Sequence, residues 1–106
     1  MINLEIKLND YAKYIAKWRE EKGFMTPSEL SDSHNVLAKL MLIVSELSEA
    51  AEAVRFCNQE NFEEEIADAL IRILDLTGTM NIDIESAVIK KMMVNEGRPY
   101  LHGKKS

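Results

Sequence analysis

Apolar residues recur every three to four positions along most of the chain, and the interruptions of that rhythm divide it into four helices. The start is different. MINLEIKL, residues 1–8, alternates apolar and polar with period two and reads as an extended arm, disordered or docked at an interface, because no second strand is in sight to pair with it. Asn9 is a candidate N-cap. After it Leu8, Tyr11, Ala12, Ile15 and Trp18 fall at helical spacing and Gly23 supplies a stop, giving a first helix over about 9–22. GFMTPSELSDS, residues 23–33, holds glycine, proline and small polar groups and forms a loop, ending in Ser31, Asp32 or Ser33 as caps. A second helix follows over about 33–57, with Leu37, Leu40, Met41, Val44, Leu47, Ala51 and Val54 as a continuous stripe read as core. NQEN at 58–61 is a tight connection and implies an antiparallel hairpin. The third helix spans about 61–80, its core face being Ile66, Ala69, Leu70, Ile73, Thr77 and Met80. Met80–Asn81 break the pattern, and Asp83 caps a fourth helix over about 84–95, with Ile82 and Ala87 placed for a hydrophobic staple. The expectation is an all-α, four-helix bundle in a single domain over 1–106.

The second helix carries more than one apolar face. At about 100° per residue, Glu46 and Glu49 stand nearly opposite the stripe, yet Leu42 and Ala53 share their sector and Ile43 and Ala50 flank it. A helix apolar on two sides is buried on two sides, and carboxylates there need a partner. On the third helix Glu65, Asp68, Arg72 and Asp75 lie together on one face, although Asp68 and Arg72 also make an ordinary i,i+4 surface pair. Packed antiparallel, the two helices bring Glu46, Glu49, Glu65 and Asp68 to one point. Four hard oxygen donors suit Mg²⁺, with Mn²⁺ as second choice, better than zinc. Magnesium keeps open positions for water and phosphate oxygens, so this cluster near lysine and arginine points to phosphoryl chemistry. Lys91 and Asn95 share a face of the fourth helix, with Arg98 a turn further on if the helix outlasts Gly97 and Pro99. Arg98, His102, Lys104 and Lys105 make the tail basic, either simply solvated or a clamp on phosphate.

Composition narrows the classes. A net charge of −5 over 106 residues argues against a general nucleic-acid binder, without excluding a single nucleotide held through a divalent cation. Cys57 has no internal disulfide partner and reads as a small apolar residue near a helix end in a reducing compartment. No apolar run approaches the ~18 residues of a membrane span and no leader pattern is present, so the expected place is the cytoplasm. A di-iron site wants Glu-x-x-His, and neither His34 nor His102 follows these acids by three. Ser45 and Ser48 lack a histidine base nearby in sequence and read as helix-packing residues. Trp18, Tyr11 and Phe24 are candidates to stack on a base, although core is the commoner role for each.

In order, then, the chain offers SELSEAAEA at 45–53, EEIADALIRI at 64–73 and IDIESAVIKKMMVNEGRPYLHGK at 82–104. An ExxE, a short spacer, an ExxD, then a lysine and an asparagine on the next helix resembles the MazG-like nucleoside triphosphate pyrophosphohydrolases, of the all-α NTP pyrophosphatase superfamily. The resemblance spans most of 37–104. It implies Mg²⁺-dependent cleavage of the α–β bond of (deoxy)nucleoside triphosphates to the monophosphate and pyrophosphate. It also implies that Glu46, Glu49, Glu65 and Asp68 are catalytic metal ligands and that Lys91, Asn95 and Arg98 contact substrate. Ser45 stands where many members have a further acid, and Asn61 where some have a lysine; these departures bear on substrate choice and rate more than on metal binding. The family further implies a homodimer or homotetramer in which two chains complete each bundle. Two other readings stay open. One is a specialised dUTP, dCTP or phosphoribosyl-ATP hydrolase of the same superfamily, the other a silent helical assembly module with no membrane or nucleic-acid partner.

Overall fold

In this computed structural model the described residues are 7–97, all-helical apart from turns, with no strand among them. The arm up to residue 6, and Arg98 with the rest of the basic tail, lie outside the described residues. The helices are α1 (Leu8–Glu21), α2 (Ser33–Arg55), α3 (Gln59–Thr79) and α4 (Ile84–Glu96), with a short 3-10 turn, Glu29–Ser31, before α2. Side-chain caps define three of the starts. Asp32 accepts from the His34 N–H, Asn58 from Asn61 and Asp83 from Ser86, so each covers one of the donors that a first turn leaves unpaired.

The ends repeat a single device. Gly23, Cys57 and Asn81 all adopt left-handed backbone, with φ of 91°, 53° and 55°. The next N–H then reaches back five residues: Phe24 to the Arg19 carbonyl, Asn58 to Ala53, and Ile82 to Thr77. This is the Schellman closure, for which glycine and asparagine are the usual residues. Cys57 is neither, and holding it there costs about 1 kcal/mol. The connection between α2 and α3 is thereby only Phe56–Cys57–Asn58, which makes the two helices an antiparallel hairpin.

Asn9 does not cap its own helix. It lies within α1 and works across the molecule instead. Its backbone N–H donates to Glu85 Oε1 at 2.8 Å and its side-chain amide to Asp83 Oδ1 at 2.8 Å, while its Oδ1 accepts from the Glu85 N–H at 3.2 Å. The unpaired first-turn donors of α1 and α4 are thus satisfied reciprocally. Asn9 first, then the Ser86 N–H and hydroxyl, hold the Asp83 carboxyl below its usual range.

α3 is the central helix, packed on α2 along one side and α1 along the other, whereas α4 meets mainly α1 and buries none of its residues. Where α1 crosses α3, Gly78 faces Ala12 and Ala16 so closely that a side chain there would meet the Ala12 carbonyl. The apolar centre is small: Leu30, Ile43 and Leu76, with Met25 and Val36 against them, and alanines at 12, 50, 53 and 69 closing the helix contacts.

The α2 stripe read as core is not core within one chain. Leu37, Leu40, Met41, Val44, Leu47, Ala51 and Val54 all face outward, Met41 being 61% and Val54 59% exposed. The buried side of α2 is Lys39, Ile43, Ala50 and Ala53, the sector around Glu46. On α3, Ala69 and Thr77 are buried as expected, but Ile66, Leu70, Ile73 and Met80 are exposed, and Leu74, Asp75, Leu76 and Thr79 take the interior. Small residues and the polar face allow the closer helix approach, and the bulky aliphatic face is left outside. Each exposed aliphatic side chain would gain roughly 1.5–3 kcal/mol on full burial. No helix of the described residues is long and apolar enough to cross a membrane.

Candidate metal centre

Glu46 and Glu49, one turn apart on α2, and Glu65 on the facing stretch of α3 bring carboxylate oxygens within 4.8 Å of one another. The antiparallel hairpin makes this meeting, because Ala50, Ala53 and Ala69 let the helices approach with no bulky side chain between them. Arg72, two turns beyond Glu65, places its Nε 3.4 Å from Glu46 Oε1, so the pairing is across the hairpin rather than with Asp68 on its own helix. The other oxygens fare differently. Glu46 Oε2 and Glu65 Oε2 are both buried without a hydrogen-bond partner.

The electrostatics register the crowding. A proton shared with Glu49, then partial burial, then the charges of Glu49, Glu46 and Asp68 push the Glu65 carboxyl from an ordinary 4.5 up to about 7. Three carboxylates facing one another cannot all ionise cheaply. A cation relieves this in a way that a proton does only in part, since it can meet several oxygens at once. With oxygen donors alone and two buried lone-pair sites unclaimed, the residues fit a hard divalent ion, Mg²⁺ or Mn²⁺.

The remaining expected residues divide. Asp68 is exposed and outside the trio, close enough to raise Glu65 but not one of the converging ligands. Lys91 and Asn95 are exposed on α4, whose packing is against α1, and no hydrogen bond or ion pair among the described residues links them to the trio. Arg98 lies outside the described residues. Glu52, which pattern reading passed over, and Asn61, noted only as a departure from the family pattern, line a recess of about 220 Å³ together with Glu49 and Glu65. Their signal was spacing, since Glu52 extends the i,i+3 series from Glu46 and Asn61 sits one turn before Glu65.

A second polar group went unread as well. Asp75 is 3% exposed and accepts from Arg19 Nε at 2.9 Å and Lys39 Nζ at 3.1 Å, both on Oδ2, with the Thr79 hydroxyl 3.4 Å from Oδ1. It ties α1, α2 and α3 together through one carboxylate. Lys39, Ile43, Glu46, Ala50 and Ala53 follow i, i+4, i+7, i+11, i+14, a spacing that would have put the lysine on the interior face.

No family model matches the chain, and neither a curated protein nor a solved structure matches it.

Proposed function

We propose that the protein is a Mg²⁺-dependent hydrolase of (deoxy)nucleoside triphosphates, releasing nucleoside monophosphate and pyrophosphate, and that it works as a homo-oligomer. One observation carries the reading: three carboxylates converge within 4.8 Å while two of their buried oxygens have no partner. Desolvation and like-charge repulsion disfavour such an arrangement, and a bound cation offsets both. The ordered acids and the Lys91–Asn95 face that resemble the MazG-like enzymes supply the reaction class.

Glu46, Glu49 and Glu65 would hold the ion, which when bound supplies Lewis-acid stabilisation of charge on the phosphoryl oxygens and the leaving pyrophosphate. Arg72 pairs with Glu46 at Oε1, while Oε2 is buried without a partner. Asp68, outside the trio and exposed, is the acid left to take a proton from the attacking water. Lys91 and Asn95 reach substrate only if α4 of a second copy supplies them or α4 moves. The exposed stripe of α2 is the seat for such a copy.

The test is pyrophosphate release from a panel of nucleoside triphosphates with and without Mg²⁺. Turnover is expected with the metal alone, and Glu46→Gln or Glu49→Gln should lower kcat/KM by about 100-fold or more. Absence of turnover across the panel would sink the enzyme reading. The α2 stripe favours a second reading, a non-catalytic assembly module with structural acids. Both readings expect an oligomer by light scattering that Met41→Lys with Val44→Lys converts to monomer; only turnover separates them.

A further inference from the structure

One cavity is lined both by Lys39, of the Asp75 group, and by Arg72, the partner of Glu46. Ala38, Leu42, Glu46 and Glu49 fall within one arc of α2 at about 100° per residue, so the face that carries the acids continues toward the start of the helix. There Phe24, Met25, Glu29, Lys39, Leu42 and Arg72 line a space of about 350 Å³. Arg72 belongs to both places, because its Nε is also the partner of Glu46.

The chemistry of the walls is lopsided. The Lys39 side chain is only 8% exposed, and its ammonium meets the same Asp75 oxygen that Arg19 already occupies. Two cations on one carboxylate leave the group with a surplus positive charge. An ammonium has three N–H donors, and a buried one with donors to spare seeks acceptors. Glu29, in the same lining, uses Oε1 for the Thr26 N–H and hydroxyl, which leaves Oε2 as an acceptor. Phe24 supplies an aromatic surface: the Arg19 guanidinium lies 3.9 Å and the Lys39 ammonium 5.7 Å from its centroid, yet the residue stays 44% exposed, so ring area remains for a stacked base. Donors from Lys39 and Arg72, an acceptor from Glu29 and the ring of Phe24 in one lining are the groups that pair with a flat heterocycle bearing an adjacent carbonyl and N–H.

We propose that this cavity receives the base of the nucleotide and selects bases with a lactam edge, uracil, thymine, guanine or hypoxanthine, over cytosine and adenine. Lys39 and Arg72 donate to the base carbonyl, Glu29 accepts from the neighbouring ring N–H, and Phe24 stacks. The amino bases present a donor where the lactam has its carbonyl, toward the buried cation, and leave it unpaired. The inference rests on the nucleotide reading of the acid trio, but binding can be measured without turnover.

Titration of the full chain with UMP against CMP, and IMP against AMP, in the presence of Mg²⁺ gives the test, since each pair differs chiefly at the lactam. UMP and IMP should bind at least about tenfold more tightly than their partners. Lys39→Met should bring both ratios close to one. Glu29→Gln, an exposed position outside the Asp75 group, should shift the ratio toward CMP and keeps the test valid if the lysine variant fails to fold. Phe24→Ala should weaken all four together. Equal affinities within each pair, no binding at millimolar ligand, or ratios untouched by Glu29→Gln would overturn the assignment. A protein that shows these preferences and hydrolyses no triphosphate keeps the pocket and loses the enzyme; one that hydrolyses all bases alike does the reverse.

Discussion

Asp75 and Glu65 stand on the same helix, and both turn a carboxylate toward α2, but their surroundings are opposite. Asp75 is met by Arg19, Lys39 and Thr79, all from this chain, at 2.9, 3.1 and 3.4 Å. Glu65 is met by Glu49, with Glu46 and Asp68 close by, and its Oε2 is buried with no partner. Asp75 is the more deeply buried of the two, yet it is the settled one, so the difference lies in who supplies the counter-charge. At Asp75 the fold supplies it, with one cation over. At Glu65 it must come from outside, as a proton or as a metal ion. The first group is structure that also shapes a cavity; the second is the candidate site.

The largest expected effect breaks that contrast at Asp75. Asp75→Ala strands two cations, one of them with an 8% exposed side chain, and should cost about 3–5 kcal/mol in urea denaturation. Glu65→Gln should act with the opposite sign, raising the melting temperature of the metal-free protein at pH 8 by removing a like charge. If both substitutions destabilise to a similar extent, the trio is structural after all and the contrast is lost.

Metal comes next. Mg²⁺ at about a hundred times its Kd should add about 2.7 kcal/mol to the native state. Glu49→Gln and Glu65→Gln should abolish that gain in thermal melts, whereas Asp68→Asn, outside the converging oxygens, should reduce it only in part. An equal loss from Asp68→Asn would move that residue into the centre and restore the four-ligand expectation read from the ExxD spacing.

The helices and their order were legible before the structure, and so was the anomaly of Glu46 and Glu49 among apolar neighbours. Which side of α2 faces inward was not. Leu37, Leu40, Met41, Val44 and Leu47 make the cleaner stripe, and periodicity counts apolar positions without knowing whether their cover comes from the same chain. Asp75 was assigned to a polar face with Glu65 and Arg72, correctly, but burial of that face depends on Arg19 and Lys39, which come from two other helices. The spacing of Lys39 with Ile43, Glu46, Ala50 and Ala53 marks its face, but which acid it shares with Arg19 leaves no trace in local spacing. Asn9 teaches the same lesson on a smaller scale. It has the chemistry of a cap, and the helix it serves lies 76 residues away at Glu85.

The pH dependence sharpens the contrast most finely and is the smallest effect, because Glu65 remains partly exposed. Its carboxyl is raised from 4.5 to about 7, so the folded state holds this proton more tightly than the unfolded chain does. The contribution to stability is therefore complete below about pH 4.5 and is lost as pH rises through 7. In metal-free protein the melting temperature of wild type relative to Glu65→Gln should fall across that window, with the greater part of the change between pH 5 and 7. Mg²⁺ competes for the same oxygens and needs them ionised, so its stabilising shift should grow over the same range and level off above it. Opposed slopes with and without the ion, both flattened by Glu65→Gln, identify one carboxyl that trades a proton for a metal. Parallel slopes would mean that the ion binds elsewhere.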